Sequence, residues 1–258
     1  ALRGTVHTFN YNDFEALEKI VASYEIGVIK MEVFRNMPPQ NNFLIRIREL
    51  ASRKGIVLIF DECTSGFRET FGGLHKKYGV EPDIAVYGKT LGNGYAITAV
   101  VGREEVMQSA QNTFISSTFW TERIGPTAAL KTLEVMERET PWEHATDLGL
   151  YLRDLWQQLA HRHGLQIDIS GLPSLSGFTF QSPRHLAYKT LITQEMLKKG
   201  YLAGTACYVS LAHTRAVFDS YAQALDPIFG LIKQCEDGRD IDLLLEGPVC
   251  HAGFQRVN

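Results

Sequence analysis

No stretch of the chain runs to the ~18 uninterrupted apolar residues that a membrane-spanning helix needs. The first residues, ALRGTVHTFNYND, have no charged head leading into an apolar segment, so a secretion signal is not expected. Charge of one sign is missing too. Twenty-six basic and 29 acidic residues give a net charge of -3, which leaves no surplus to hold nucleic acid or an anionic membrane. Cysteine is sparse: Cys63, Cys207, Cys235 and Cys250 are scattered, none with C-x-x-C spacing. A disulfide framework is therefore not expected, and reduced thiols in the cytoplasm are. The eight histidines are dispersed, and His161 and His163 point to different faces of a helix end, so no metal site is expected. Internal repeats and low-complexity stretches are absent.

What remains is an ordinary globular composition, 45% hydrophobic and 21% charged over 258 residues. That suits one large domain with a smaller companion. IGVIKMEV (26–33) reads as a buried strand. In QNNFLIRIRELASRK (40–54), Phe43, Leu44, Ile47, Leu50 and Ala51 fall on one helical stripe, and Gly55 supplies the left-handed residue that ends a helix. IVLIFD (56–61) is a continuous run of the kind a strand covered on both faces shows. A strand–helix–strand unit of this sort is parallel and right-handed. DIAVY (83–87) and ITAVV (97–101) supply two more buried strands, with helices expected over about 103–111 and 123–139. After Pro141 the texture changes to a long helix (about 143–163), LQIDIS, a turn, GFTFQS, and helices over about 185–199 and 214–235. The fold class is α/β: residues 1–142 as part of a large, mainly parallel sheet domain, and 143–258 as a small α+β domain.

Glu32, Asp61 and Lys89 each fall where an apolar run stops, the edge at which open α/β sheets bind ligands. A single charge at a strand end is commonly just solvated, but three at one edge invite chemistry. GKT (88–90) resembles the end of a phosphate-binding loop, yet that motif needs glycine where Asp83 stands, and a strand occupies the place of its glycine-rich loop. No G-x-S-x-G nucleophile elbow is present. A Schiff-base lysine fits better: Lys89 as the amine, Asp61 holding a pyridinium N–H, and the short turn TLGNG giving a cofactor room against the backbone.

Three stretches carry a family likeness: IVLIFDECTSGFR, YGVEPDIAVYGKTLGNGYAITAVVG and SSTFWTERIGPTAALKTLEVME. Together and in this order they resemble the class III aminotransferases of the fold-type I pyridoxal-phosphate enzymes, nearest to those like glutamate-1-semialdehyde aminomutase. The resemblance runs over about 25–237. It implies that Lys89 bonds the cofactor and shuttles protons and that Asp61 pairs with the pyridine nitrogen. It also implies that Cys63, where the family has valine or isoleucine, lies against the ring, and that Thr118 binds the phosphate of the cofactor in a neighbouring subunit. A homodimer with a shared active site follows, acting on a small amino, keto or aldehyde substrate. Glu32 matches an acidic position less well, since Val33 stands where proline usually follows.

The family's upstream segment, with a phosphate loop and a ring-stacking aromatic, has no counterpart in these residues. The expectation is therefore a piece of a longer enzyme, a chain completed by a partner, or an inactive remnant kept as a scaffold. Other chemistry on the same cofactor, such as decarboxylation or racemisation, would use Asp61 and Lys89 equally.

Overall fold

The computed structural model describes residues 3–34, 36–116, 118–119 and 121–252. The chain divides into two compact units, Ala1–Trp142 and Glu143–Asn258. Among the described residues no helix is long and apolar enough to cross a membrane.

The first unit opens with helix α1 (Phe14–Ser23), which the sequence reading passes over. Asp13 caps it by accepting the Ala16 N–H at 3.0 Å, and Phe14, Leu17 and Val21 form its buried stripe. Strand β1 (Val28–Glu32), helix α2 (Phe43–Lys54) and strand β2 (Val57–Asp61) make the expected parallel unit. In α2 the buried face is the predicted stripe, and Gly55 ends it at φ +66°. Strand β3 (Ile84–Tyr87) pairs parallel with β2, a single turn α3 (Lys89–Gly92) follows, and β4 (Ala99–Gly102) returns antiparallel to β3.

Three strand expectations are corrected. IGVIKMEV was expected as a buried strand, but β1 lies at one sheet edge with Val28 and Lys30 exposed. In β2, Leu58 and Phe60 are wholly buried while Val57, Ile59 and Asp61 are only half-buried, so one face of the sheet is covered by described residues and the other partly so. ITAVV was expected as a buried strand; β4 instead lies at the sheet edge with Val100 and Val101 exposed. The expected 103–111 helix is a turn, α4 (Glu104–Met107), that tightens into a 3₁₀ segment, Gln108–Asn112. Helix α5 (Ile124–Glu139) then packs Ala129 and Met136 with Phe67 and Leu91.

Helix α6 (Pro141–Arg162) leads into the second unit. There β5 (Ile167–Ser170) and β6 (Leu175–Phe180) pair antiparallel, helix α7 (His185–Lys198) follows, and β7 (Ala206–Tyr208) adds a third strand beside β6. Helix α8 (Arg215–Glu236) completes the core, where the wholly buried Trp156 ring lies 4.8 Å from Phe178 and donates from Nε1 to the Tyr221 hydroxyl.

Candidate active site

The parallel register of the first sheet sets Glu32 directly opposite Asp61 at the carboxyl ends of β1 and β2. Lys89 opens α3, two residues past the end of the neighbouring β3. All three charges expected at this edge are there. Gly88, between strand and lysine, lies close under Cys63: a Cβ built on it would come within 3.3 Å of the Cys63 Sγ. A side chain at 88 would therefore press on the loop that follows Asp61.

That loop folds back on the Asp61 carboxylate. Oδ1 accepts the Cys63 N–H at 3.2 Å, and Oδ2 accepts from Lys30 Nζ at 2.8 Å. Partial burial opposes ionisation of Asp61, but the hydrogen bonds from Lys30 and Cys63 outweigh it and hold the carboxyl below its ordinary range. The Cys63 thiol is pushed up, first by burial, then by its hydrogen bond to Asp61 and by that carboxylate's charge, while Lys89 and Lys30 pull the other way. Cys63 is thus a neutral, soft, half-buried group beside the carboxylate. Lys89 Nζ donates to the Thr64 hydroxyl at 2.9 Å, so the Asp61 loop and the lysine are joined directly.

Behind the loop sits a network that sequence reasoning missed. Glu62 is 1% exposed; its carboxylate accepts from the Ser65 hydroxyl and, at 3.0 Å, from the His75 N–H, with the His75 ring Nδ1 2.9 Å away. Ser65, read from the sequence as turn chemistry, is buried against it. The Gly66 N–H donates to the Glu62 carbonyl at 2.8 Å, and a Cβ at Gly66 would lie 2.7 Å from that oxygen and 2.8 Å from the Tyr87 ring. The turn 62–66 is therefore fixed from inside the protein while Cys63 and Thr64 face the lysine. Thr118 is exposed in the turn ahead of α5, and among the described residues no hydrogen bond joins it to Asp61, Cys63 or Lys89. The structure brings together three of the four site residues expected from the sequence.

This donor set suits a pyridine aldehyde. An ionised carboxylate answers a ring N–H, a lysine amine answers an aldehyde carbon, and a neutral thiol stands between them. Thr90, next to Lys89 in the chain, has a buried Oγ1 with no partner among the described residues.

Residues 35–226 match the family model described as aminotransferase class-III. The chain is 32% identical over 240 residues to the 3-aminobutyryl-CoA aminotransferase of Cloacimonas acidaminovorans (strain Evry), covering 84% of this chain and 58% of that protein. It is 29% identical over 242 residues to the glutamate-1-semialdehyde 2,1-aminomutase of Natranaerobius thermophilus, covering 85% and 56%. The chain thus spans under three-fifths of the length of these relatives. Among solved structures, the FumI protein of Sphingopyxis sp. MTA144 in its PLP internal aldimine form superposes with a TM-score of 0.83 at 23% identity, over 93% of this chain and 61% of that one. An omega-transaminase from Sphaerobacter thermophilus does so with a TM-score of 0.76 at 21% identity, over 86% and 56%.

Proposed function

Because the chain belongs to the class III aminotransferase family and has the fold of the pyridoxal-phosphate transferases, we propose that it binds pyridoxal phosphate and carries the lysine and the ring-nitrogen carboxylate of an enzyme that moves an amino group on a small molecule. The reaction is a transfer between two molecules or, as in an aminomutase, within one. The observation that carries this reading is the placing of Asp61 and Lys89 at adjacent carboxyl ends of parallel strands, linked through the 62–66 turn and the 2.9 Å bond from Lys89 to Thr64.

Pyridoxal phosphate, when bound, supplies an aldehyde carbon that takes up an amino group and a ring that draws electrons from the bonds beside it. The chain's own residues do the rest. Asp61 stays ionised and accepts the ring N–H. Lys89 Nζ is the nucleophile and the carrier of a proton to and from the substrate carbon. Thr64 orients that nitrogen by accepting from it, and Cys63 offers a soft neutral surface to the ring. In this reading Ala1–Trp142 is part of the cofactor-binding domain and Glu143–Asn258 its smaller companion. Thr118 serves a second copy's cofactor phosphate across a homodimer interface.

The test is a visible spectrum with added pyridoxal phosphate, before and after borohydride, followed by peptide mapping. The expected outcome is a visible band that borohydride removes while fixing the cofactor to Lys89, with band and adduct both lost in Lys89→Ala. An adduct on another lysine, or none in folded protein, would overturn the assignment.

A further inference from the structure

Strand β1 carries two charges, Glu32 at its carboxyl end and Lys30 in its middle. Paired residues of parallel strands share a face, and Lys30 stands opposite Ile59 while Glu32 stands opposite Asp61. A residue two places along from its neighbour's partner lies on the diagonal, within reach of a long side chain. Lys30 uses that diagonal: its ammonium crosses to β2 and donates to Asp61 Oδ2 at 2.8 Å. Cys63 N–H already holds Oδ1, so both oxygens of the carboxylate have a donor from this chain. The lysine side chain is 59% exposed, and an ion pair that open to solvent adds little to the stability of a fold. Its effect falls on what Asp61 does.

We propose that Lys30 is a positioning residue that acts through Asp61: its ammonium weakens the carboxylate as a partner for a protonated ring nitrogen and so sets how strongly a bound pyridine ring withdraws electrons. The inference rests on the assignment of Asp61 and Lys89 made above. Four ionisable groups bear on Asp61, on Lys30 or, in the case of Lys89, on the adjoining Cys63. Lys30 and Glu32 come from β1, Cys63 from the loop after β2, and Lys89 from the start of α3. Lys30 is the one whose charge lies in hydrogen-bond contact with the carboxylate. Its own proton is held more tightly through its hydrogen bond to Asp61, against some desolvation, with added pull from the charges of Asp61, Cys63 and Glu32. The cation therefore persists through the physiological range. With Lys30 in place, Asp61 remains the partner of the ring N–H but holds that proton less firmly than a lone aspartate would.

Three proteins separate the possibilities: wild type, Lys30→Met, which removes the cation and keeps the stem, and Lys30→Arg, which restores a cation at the same carboxylate. Borohydride mapping with pyridoxal phosphate comes first and tests the parent assignment alone. The ring nitrogen of bound ¹⁵N-labelled pyridoxal phosphate is then titrated by NMR, and the Asp61 carboxyl carbon is titrated in cofactor-free protein. The expected result is that Lys30→Met raises both midpoints by about half to one pH unit, a three- to tenfold gain in proton affinity, while Lys30→Arg stays with wild type. The proposal is overturned by midpoints that do not move in Lys30→Met although the cofactor maps to Lys89, or by an arginine variant that follows the methionine one. If the cofactor does not map to Lys89 in wild type, the parent assignment fails and this inference goes with it.

Discussion

Glu62 and Asp61 are adjacent in sequence and opposite in circumstance. Asp61 keeps its carboxylate at the ligand edge, while Glu62 is turned inward and lives on three contacts from Ser65 and His75. A buried carboxylate survives only when its acceptor capacity is used, and its partners in turn depend on it. Glu62→Ala strands the Ser65 hydroxyl and the His75 N–H inside the protein. The expected cost is about 3 kcal/mol, against about 1 kcal/mol for Glu62→Gln, which can still accept the N–H and meet the hydroxyl. Urea midpoints read both, and equal losses in the two variants would show that the carboxylate's charge, which both remove, and not its capacity to accept neutral hydrogen bonds, holds the turn. The same contrast explains what was legible in the sequence. Asp61 and Lys89 announce themselves because each breaks an apolar run at a strand end. Glu62 gives no such signal, since its partner His75 is 13 residues away and joins it only through the fold. Lys30 was visible as a charge inside a strand, but its target depends on the register between β1 and β2, which no single strand reveals. Thr64 matters only because β3 delivers Lys89 beside it.

At the scale of the elements, the sheet carrying the site is clasped at its far end by Asp83, at the entry to β3. Its carboxylate accepts the Leu58 N–H of β2 at 2.7 Å, Arg48 of α2 at 2.8 Å and Arg103, just past β4, at 3.0 Å. Its backbone bonds both strands as well, donating to Leu58 O and accepting from Arg103 N. Burial opposes the charge on Asp83, but the Leu58 N–H and the Arg48 guanidinium outweigh it and hold the carboxyl below its usual value. The sign follows from linkage. A depressed carboxyl contributes stability that is fully present above the unfolded value near 4 and is lost as pH falls through the lower folded value. Asp83→Asn should therefore destabilise by about 2–4 kcal/mol at pH 7, and the gap from wild type should shrink below about pH 4. Thermal unfolding from pH 7 to pH 3 measures it, and a gap that stays constant with pH would remove the charge from the explanation. Helices and strands of ordinary length were readable from their periodicity, as the α2 stripe shows. The three-residue β7 is too short to show a period, and β4 looked buried because its valines say nothing about whether another strand lies beyond them. Helix α1 carries the helical pattern, an aspartate cap followed by Phe14, Leu17 and Val21, but only those three buried residues mark it against the polar stretch before it.

For the whole molecule, the stretch from 114 to 130 bears on assembly. Phe114 is 95% exposed, and Ile115, Phe119, Ile124 and Leu130 are all more than half exposed. Single exposed apolar residues are common on protein surfaces, but five within 17 positions, in the same stretch as Thr118, make an apolar surface of the kind that a partner chain covers. Under the proposed function that chain is a second copy, and the coincidence has a reason: a residue that serves the neighbour's cofactor has to sit where the neighbour docks. Sedimentation should then find a dimer at micromolar concentration. Leu130→Glu, which sets a charge on the open face of α5, should weaken that dimer at least tenfold without changing helix content, a carboxylate being costly to bury where no cation meets it. The more discriminating variant is Thr118→Val. It removes a hydroxyl from an exposed turn, so it should leave the dimer and the melting temperature as they are while lowering affinity for pyridoxal phosphate several-fold. Mixing it with Lys89→Ala makes the sharing visible. If each site takes its lysine from one copy and its threonine from the other, the mixed dimer holds one site with both residues intact and one with neither, so half of its sites recover, about a quarter of all sites in an equal mixture that pairs at random. If both residues of a site come from one copy, every site in the mixture stays impaired, and the shared-site arrangement falls.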